Sequence, residues 1–109
     1  MERQEINTAI INYLHPYNPE MIGIFGSYAR QEDSDESDID ILVRFKDTLS
    51  LLDLARIHRE LSKVLGKEVD VVTEPSLKNR KLKQYIYNDL KIIFEWKMIP
   101  SILTIYLGV

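Results

Sequence analysis

Residues 38–45, with the sequence DIDILVRF, constrain the fold more than any other segment of this chain. Side chains alternate between the two faces of a β-strand, so every second residue shares a face. The segment therefore predicts a strand with one apolar face in a core and a pair of carboxylates on the other face. The core-facing side chains are Ile39, Ile41, Val43 and Phe45, and the carboxylates belong to Asp38 and Asp40.

The rest of the chain supplies helices and strands to cover that strand. Apolar residues at helical spacing, together with capping and breaking residues, predict helices over residues 3–15, 28–32, 50–65 and about 77–88. Short apolar runs predict further strands over residues 21–25, 68–73 and 91–96. This order indicates an α/β (α+β) fold, with one small mixed sheet of about four strands flanked by helices.

The two longer predicted helices each carry an apolar face. The face of the first consists of Ile6, Ala9, Ile10, Tyr13 and Leu14. The face of the second consists of Leu51, Leu54, Ala55, His58, Leu61 and Leu65, and Gly66 follows where a left-handed cap would end the helix. For the short helix at 28–32, Ser27 is the expected N-cap.

Length and composition narrow the class of protein. The 109 residues fit a single domain over residues 1–109, with a core at about 5–96 and an apolar tail at 97–109. The net charge of −3 gives no general attraction to nucleic acid, and the absence of cysteine excludes disulfides and thiolate metal sites. With neither a signal peptide nor a membrane span in the sequence, we expect a cytoplasmic protein.

The carboxylate pair predicts a metal site. Asp38 and Asp40 would stand about 6–7 Å apart along one strand face, where their charges repel unless a cation neutralises them. Oxygen ligands of this kind suit Mg²⁺ or Mn²⁺. Asp70 alternates with Val69 and Val71 in the next predicted strand. If the two strands are neighbours, the three carboxylates could hold two metal ions about 3.5–4 Å apart, as in-line attack on phosphorus requires.

The turn at Gly26 and Ser27 predicts a phosphate site. It lies between a buried strand and a helix start, where free backbone N–H groups favour an anion. Glycine permits close approach, and Ser27 adds a hydroxyl donor. Arg30 would contact the same anion or form a surface salt bridge. Together these features indicate a nucleoside triphosphate bound with divalent metal, although Walker and kinase glycine-rich motifs are absent.

The motif resembles a known family. Gly26 and Ser27, ten residues, and then Asp38-x-Asp40 match the Gly-Ser-x10-Asp-x-Asp signature of the DNA polymerase β-like nucleotidyltransferases. The surrounding FGSYAR, SDIDILV and VDVVT resemble its minimal nucleotidyltransferase (MNT) branch over about residues 5–96, although Gln31 replaces a glycine common in that branch. Many members of this branch are antitoxins of HEPN-domain toxins.

The resemblance implies a reaction and residue roles. Gly26 and Ser27 would bind the β and γ phosphates of ATP, Asp38 and Asp40 would bind both Mg²⁺ ions, and Asp70 would bind the catalytic ion and help activate the nucleophile. AMP would pass to a tyrosine hydroxyl of a HEPN ribonuclease toxin, with pyrophosphate as the leaving group. The implied partner makes a hetero-oligomer the expected assembly.

Two other functions and several simpler interpretations stay open. The chain could neutralise a toxin by binding alone, or transfer a nucleotide to a small molecule, and the apolar tail could promote self-association. Glu32, Asp33, Asp35 and Glu36 are interpreted as a solvated loop and residues 78–83 as a basic helix face, although a docking patch for an acidic partner or its bound RNA remains open. His15 and His58 are interpreted as structural. Tyr85 and Tyr87 are interpreted as packing residues, with self-modification of a tyrosine as an alternative.

Overall fold

A mixed four-stranded sheet forms the centre of the protein. The computed structural model describes residues 1–96, so the predicted apolar tail lies outside the described residues. The strands are β1 (Pro19–Phe25), β2 (Ile39–Phe45), β3 (Val69–Thr73) and β4 (Lys91–Glu95), in the order β3-β2-β1-β4. β1 is antiparallel to both β2 and β4, whereas β2 and β3 are parallel. The predicted α+β class and mixed sheet are confirmed.

Helices cover both faces of the sheet. They are α1 (Arg3–Leu14), α2 (Gly26–Ala29), α3 (Leu51–Leu65) and α4 (Arg80–Asp89). Apolar residues of α1 and α3 pack on one face, and those of α4 pack on the other. α3 is the crossover that parallel pairing of β2 and β3 requires. None of the helices in residues 1–96 combines the length and the apolar character needed to cross a membrane.

The larger core lies between the sheet and helices α1 and α3. The β2 side chains Ile39, Ile41 and Val43 are fully buried there, as their alternation predicts, while Phe45 is only partly buried. The α1 residues Ile6, Ile10 and Leu14 pack against them, and Ala9 and Tyr13 pack at the edge of the same core, so the predicted face of α1 is confirmed.

The predicted face of α3 is wrong in its first turns. Leu51 is 84% exposed and Ala55 is also exposed, whereas the omitted Ile57 is completely buried with Leu61. The helix has apolar residues on two overlapping stripes, and spacing alone does not say which one meets a sheet. Packing against β2 and β3 selects the stripe through Ile57, which leaves the first turn outside the core.

Helix ends explain the other differences from the sequence prediction. Ser50 caps α3 by accepting a hydrogen bond from the Asp53 N–H, and Gly66 ends it with a φ of 68°. By contrast, Ser27 is not an N-cap. The short helix begins at Gly26 rather than 28, because the left-handed φ of Gly26, 77°, turns the chain directly after β1. α4 begins three residues later than predicted, because Asn79 is its cap.

Two contacts position α4 over the sheet. Gly23 lets Leu90 approach, since a Cβ there would lie 2.5 Å from Leu90 Cδ1. At the end of β2, Arg44 Nε and Nη2 donate to Glu74 at 2.9 and 3.1 Å, and the Tyr87 hydroxyl donates to the same carboxylate. The second contact joins β2, the turn after β3 and α4, and thereby sets one wall of a cleft.

Candidate active site

The pairing of β2 with β3 places Asp40 directly beside Asp70. In a parallel pair, residues in register point to the same face of the sheet, and here it is the face that α4 covers. Asp40 is partly buried and Asp70 is exposed. The expectation that the strand at 68–73 lies beside the strand at 38–45 is therefore confirmed. Asp38 immediately precedes β2 and is exposed, so it lies in the loop rather than in the predicted strand.

The carboxylates at this place repel one another. The pKa of Asp40 is raised from 3.8 to about 6, first by burial and then by the negative charges of Asp70 and Asp38. Hydrogen bonding to Asp70 contributes in the same direction, and Arg30 acts against it. Both other predicted acids thus act electrostatically on Asp40. In water without cations, Asp40 retains its proton to a higher pH than an ordinary aspartate does.

Gly26 lies against the Asp40 carboxylate. A Cβ added at Gly26 would come within 2.3 Å of Asp40 Oδ2, and its backbone has a φ that side chains disfavour. The backbone of the turn therefore touches the acidic side chain with no space between them. Ser27 is the next residue, partly buried in the first turn of α2. The first N–H groups of a helix have no partner within it, so they are available to an anion.

Arg30 forms salt bridges that sequence reasoning left open. Its Nε contacts Glu32 at 2.9 Å, and its Nη1 contacts Asp89, at the end of α4, at 2.5 Å. These hydrogen bonds raise the pKa of the guanidinium further, so Arg30 is a permanent cation beside the acids. The salt-bridge alternative is thus observed. Contact with a phosphate stays a prediction.

The acidic loop before β2 is held in place, contrary to the solvated-loop interpretation for Asp33. Asp33 forms a 2.5 Å salt bridge with Arg3, whose guanidinium also stacks over the Tyr28 ring. Lys67 Nζ donates to the carbonyls of Ser34 and Ser37 at 3.2 and 3.4 Å. These contacts fix the loop that carries Asp38 to the start of β2.

An open cleft of about 500 Å³ extends from the acids toward α4 and α3. Its polar end holds Asp40 and Asp70. Its other walls are mostly apolar, and they include Phe25, Leu54, Val72, Leu77, Leu82, Tyr85 and Ile86. Sequence reasoning did not find this cleft, because its walls come from α3, α4 and three different strands.

The donor set fits a divalent cation. Asp40 and Asp70 are adjacent oxygen donors, and the raised pKa of Asp40 reports negative charge that a cation would neutralise. Within residues 1–96, no three His, Cys, Asp or Glu side chains already stand close enough to form a metal centre.

Other residues singled out from the sequence lie around the cleft or away from it. His58 lines the cleft and contacts Glu68 at 2.6 Å, while His15 lines a separate hollow. The interpretation of Tyr87 as a packing residue is incomplete, because its hydroxyl bonds Glu74. Tyr85 is not a packing residue: it is 61% exposed and lines the cleft. The lysines and arginine of 78–83 are exposed, as the solvated-face interpretation predicts.

Comparison with known proteins identifies the family. Residues 8–98 match the family described as polymerase beta, nucleotidyltransferase. The chain belongs to this nucleotidyltransferase family. A protein of Methanocaldococcus jannaschii named "Putative protein adenylyltransferase MJ0435" is 49% identical over 90 residues, which are 79% of this chain and 97% of that protein.

Solved structures agree with this assignment. A toxin–antitoxin complex crystallised with AMP-PNP contains a chain with a TM-score of 0.75 and 25% identity, covering 94% of this nucleotidyltransferase and 87% of that chain. A complex of a tri-AMPylated Shewanella oneidensis HEPN toxin with its MNT antitoxin gives a TM-score of 0.72 at 24% identity, covering 98% and 88%. At that identity the second likeness shows the fold alone.

Proposed function

We propose that this nucleotidyltransferase transfers AMP from ATP to a tyrosine of a HEPN-domain toxin, in a reaction that needs Mg²⁺, and thereby acts as an antitoxin. The observation that carries the proposal is the contact of the Gly26 turn with Asp40, beside Asp70 on the neighbouring strand. A phosphate on that turn would be adjacent to the carboxylates. The relative named as a protein adenylyltransferase and the toxin–antitoxin complex with an ATP analogue support the same reaction.

Each site residue has a role in this reaction. The backbone N–H groups of Gly26 and Ser27, with the Ser27 hydroxyl, hold the terminal phosphates. Asp38, Asp40 and Asp70 hold two Mg²⁺ ions, which when bound neutralise phosphate charge and favour an ionised nucleophile. Arg30 keeps positive charge beside the acids and is the further phosphate contact that the sequence suggests.

The chemistry is a substitution at the α-phosphorus of ATP. The tyrosine oxygen forms a bond to that phosphorus, the bond from the phosphorus to the bridging oxygen breaks, and pyrophosphate leaves. The phenolic proton passes to a carboxylate of the site and from there to water. Asp70 is the carboxylate more accessible to an incoming hydroxyl, because it is exposed whereas the neighbouring Asp40 is partly buried.

Transfer of a labelled adenylate group tests the proposal. The purified chain, its co-encoded HEPN-domain partner, Mg²⁺ and ATP labelled at the α-phosphate should yield labelled partner, with the label on tyrosine. Asp40→Asn should abolish the label. Asp35→Asn is the matched control, because Asp35 is an exposed acid in the loop before β2. Equal labelling by Asp40→Asn, or none by the wild type, would reject the proposal.

Neutralisation by binding alone remains the second candidate. The exposed Leu51 and Leu52 at the start of α3 favour it, because paired apolar residues outside a core suit contact with another protein. A chain with both Asp38→Asn and Asp40→Asn should then still protect cells from the toxin. Loss of protection, with complex formation intact on a sizing column, would show that transfer is required.

A further inference from the structure

We infer that Tyr85 is an intramolecular acceptor, so that this nucleotidyltransferase transfers AMP to its own cleft when no protein partner is present. The inference rests on the proposed function, because it uses the same site and the same ATP. It differs in the acceptor, which is a residue of this chain.

The position of Tyr85 on α4 supports this assignment. Leu82, Tyr85, Ile86 and Asp89 follow the i, i+3, i+4, i+7 spacing of one helix face. The first three line the cleft that contains Asp40 and Asp70, and Asp89 contacts Arg30 at 2.5 Å. Tyr85 is thus about 6 Å along the helix from a residue that touches the edge of the acidic site.

Exposure, a free hydroxyl and a place in the cleft lining together separate Tyr85 from the other four tyrosines of residues 1–96. Tyr17, partly buried in the turn after α1, is not among the residues that line the cleft. Tyr13 and Tyr87 donate their hydroxyls to Glu60 and Glu74, and Tyr28 is only 5% exposed. Tyr85 is 61% exposed, and its hydroxyl has no hydrogen-bond partner within the described chain. A nucleophile must be free to approach phosphorus, and among the cleft-lining residues this is the one phenol that can.

The step balances with ATP alone. The Tyr85 Oη forms the bond to the α-phosphorus, the bond to the bridging oxygen breaks, and pyrophosphate leaves with the bond electrons. The phenolic proton goes to a site carboxylate and then to water. The product is an AMP group on α4 inside the cleft that contains Asp40 and Asp70, where it would occupy part of that space.

Mass spectrometry of the purified chain after incubation with Mg²⁺ and ATP tests the inference. We expect one added AMP group, located on the peptide that contains Tyr85. Tyr85→Phe, which keeps the ring, should remove the modification. Tyr13→Phe, on α1 and outside the residues that line the cleft, should keep it. Modification elsewhere, or its persistence in Tyr85→Phe, would overturn the inference.

Two further measurements make the result decisive. Mixing inactive Asp40→Asn chain with active Tyr85→Phe chain should leave Tyr85 unmodified, and label on it would show transfer between molecules and contradict an intramolecular route. Chain modified at Tyr85 should bind a fluorescent ATP analogue more weakly than unmodified chain, whereas equal binding would contradict occupation of the cleft. If the wild type labels the HEPN partner but not itself, this inference is refuted and the proposed function stands. If it labels neither, both are refuted.

Discussion

Replacing Asp40 by Asn should stabilise the protein in the absence of metal. Asp40 has a pKa of about 6 in the folded chain and 3.8 as the reference value. The folded state therefore binds its proton more tightly than the unfolded state does. Stability is unaffected below the unfolded pKa, falls as the pH rises from about 4 to about 6, and stays lowered above that range. Asn carries no proton to lose, so the variant escapes this decline.

The size of the effect follows from the pKa difference. Each pKa unit is worth about 1.4 kcal/mol, so a shift of about two units gives at most about 3 kcal/mol. Asp40 is partly open to water, which screens its charge and reduces the expected gain to about 1–2 kcal/mol. For a chain of this length that corresponds to a rise in Tm of about 4–8 °C at neutral pH.

Thermal melts of the two proteins between about pH 4 and pH 7.5, with a chelator present, would measure it. The difference in Tm should be near zero at the acidic end and reach its full size above about pH 6.5. Asp35→Asn, an exposed loop acid, should change stability by less than about 0.5 kcal/mol. A lower Tm for Asp40→Asn at neutral pH would show that the carboxylate supports the fold, and the electrostatic reasoning would be wrong.

Three further predictions follow from the same contacts. Gly26→Ala should lose more stability than Gly66→Ala by at least about 1 kcal/mol in denaturant melts, because both have a left-handed φ but only the first Cβ meets Asp40. Ile57→Ala should lower the free energy of unfolding by about 2–5 kcal/mol, and Leu51→Ala by less than about 0.5 kcal/mol. The reverse order would show that the Leu51 side of α3 packs inward, as the helical spacing suggested. Mg²⁺ with ATP should raise the Tm of the wild type and not that of Asp40→Asn, and equal shifts would place the ligand elsewhere.

Features that depend on residues close together in the chain could be predicted from the sequence alone. The alternation of residues 39–45 predicts that Ile39, Ile41 and Val43 share one buried face and that Asp40 lies on the opposite face, because strand geometry decides the sides; the burial of Leu42 beneath α4 was not predicted. Asp70 could be placed beside Asp40 because a helix of α3's length joins the two strands, and such a crossover permits parallel pairing. These two rules explain why the sheet was predicted correctly.

Contacts between residues far apart in the chain could not be predicted from the sequence. Nothing near Arg30 in the chain indicates that Asp89 would meet it, since they are 59 residues apart. The stripe of α3 that packs inward, with Ile57 at its centre, depends on how the helix lies across β2 and β3. The same holds for Tyr85, whose exposure and neighbours depend on where α4 docks.

The contact between Gly26 and Asp40 explains why the site has unfavourable charge without its ligands. A phosphate-binding turn and a metal-binding carboxylate work together only if the phosphate and the cation are adjacent, and the missing side chain at Gly26 brings backbone and carboxylate together. Burial raises the pKa of Asp40, and the negative charges of Asp70 and Asp38 raise it further. In the proposed reaction a cation would remove that repulsion, and the triphosphate would balance the added positive charge. If metal and nucleotide bind as proposed, they would offset the repulsion that raises the pKa of Asp40, so binding would be favoured by the same contact that makes the unliganded charge unfavourable.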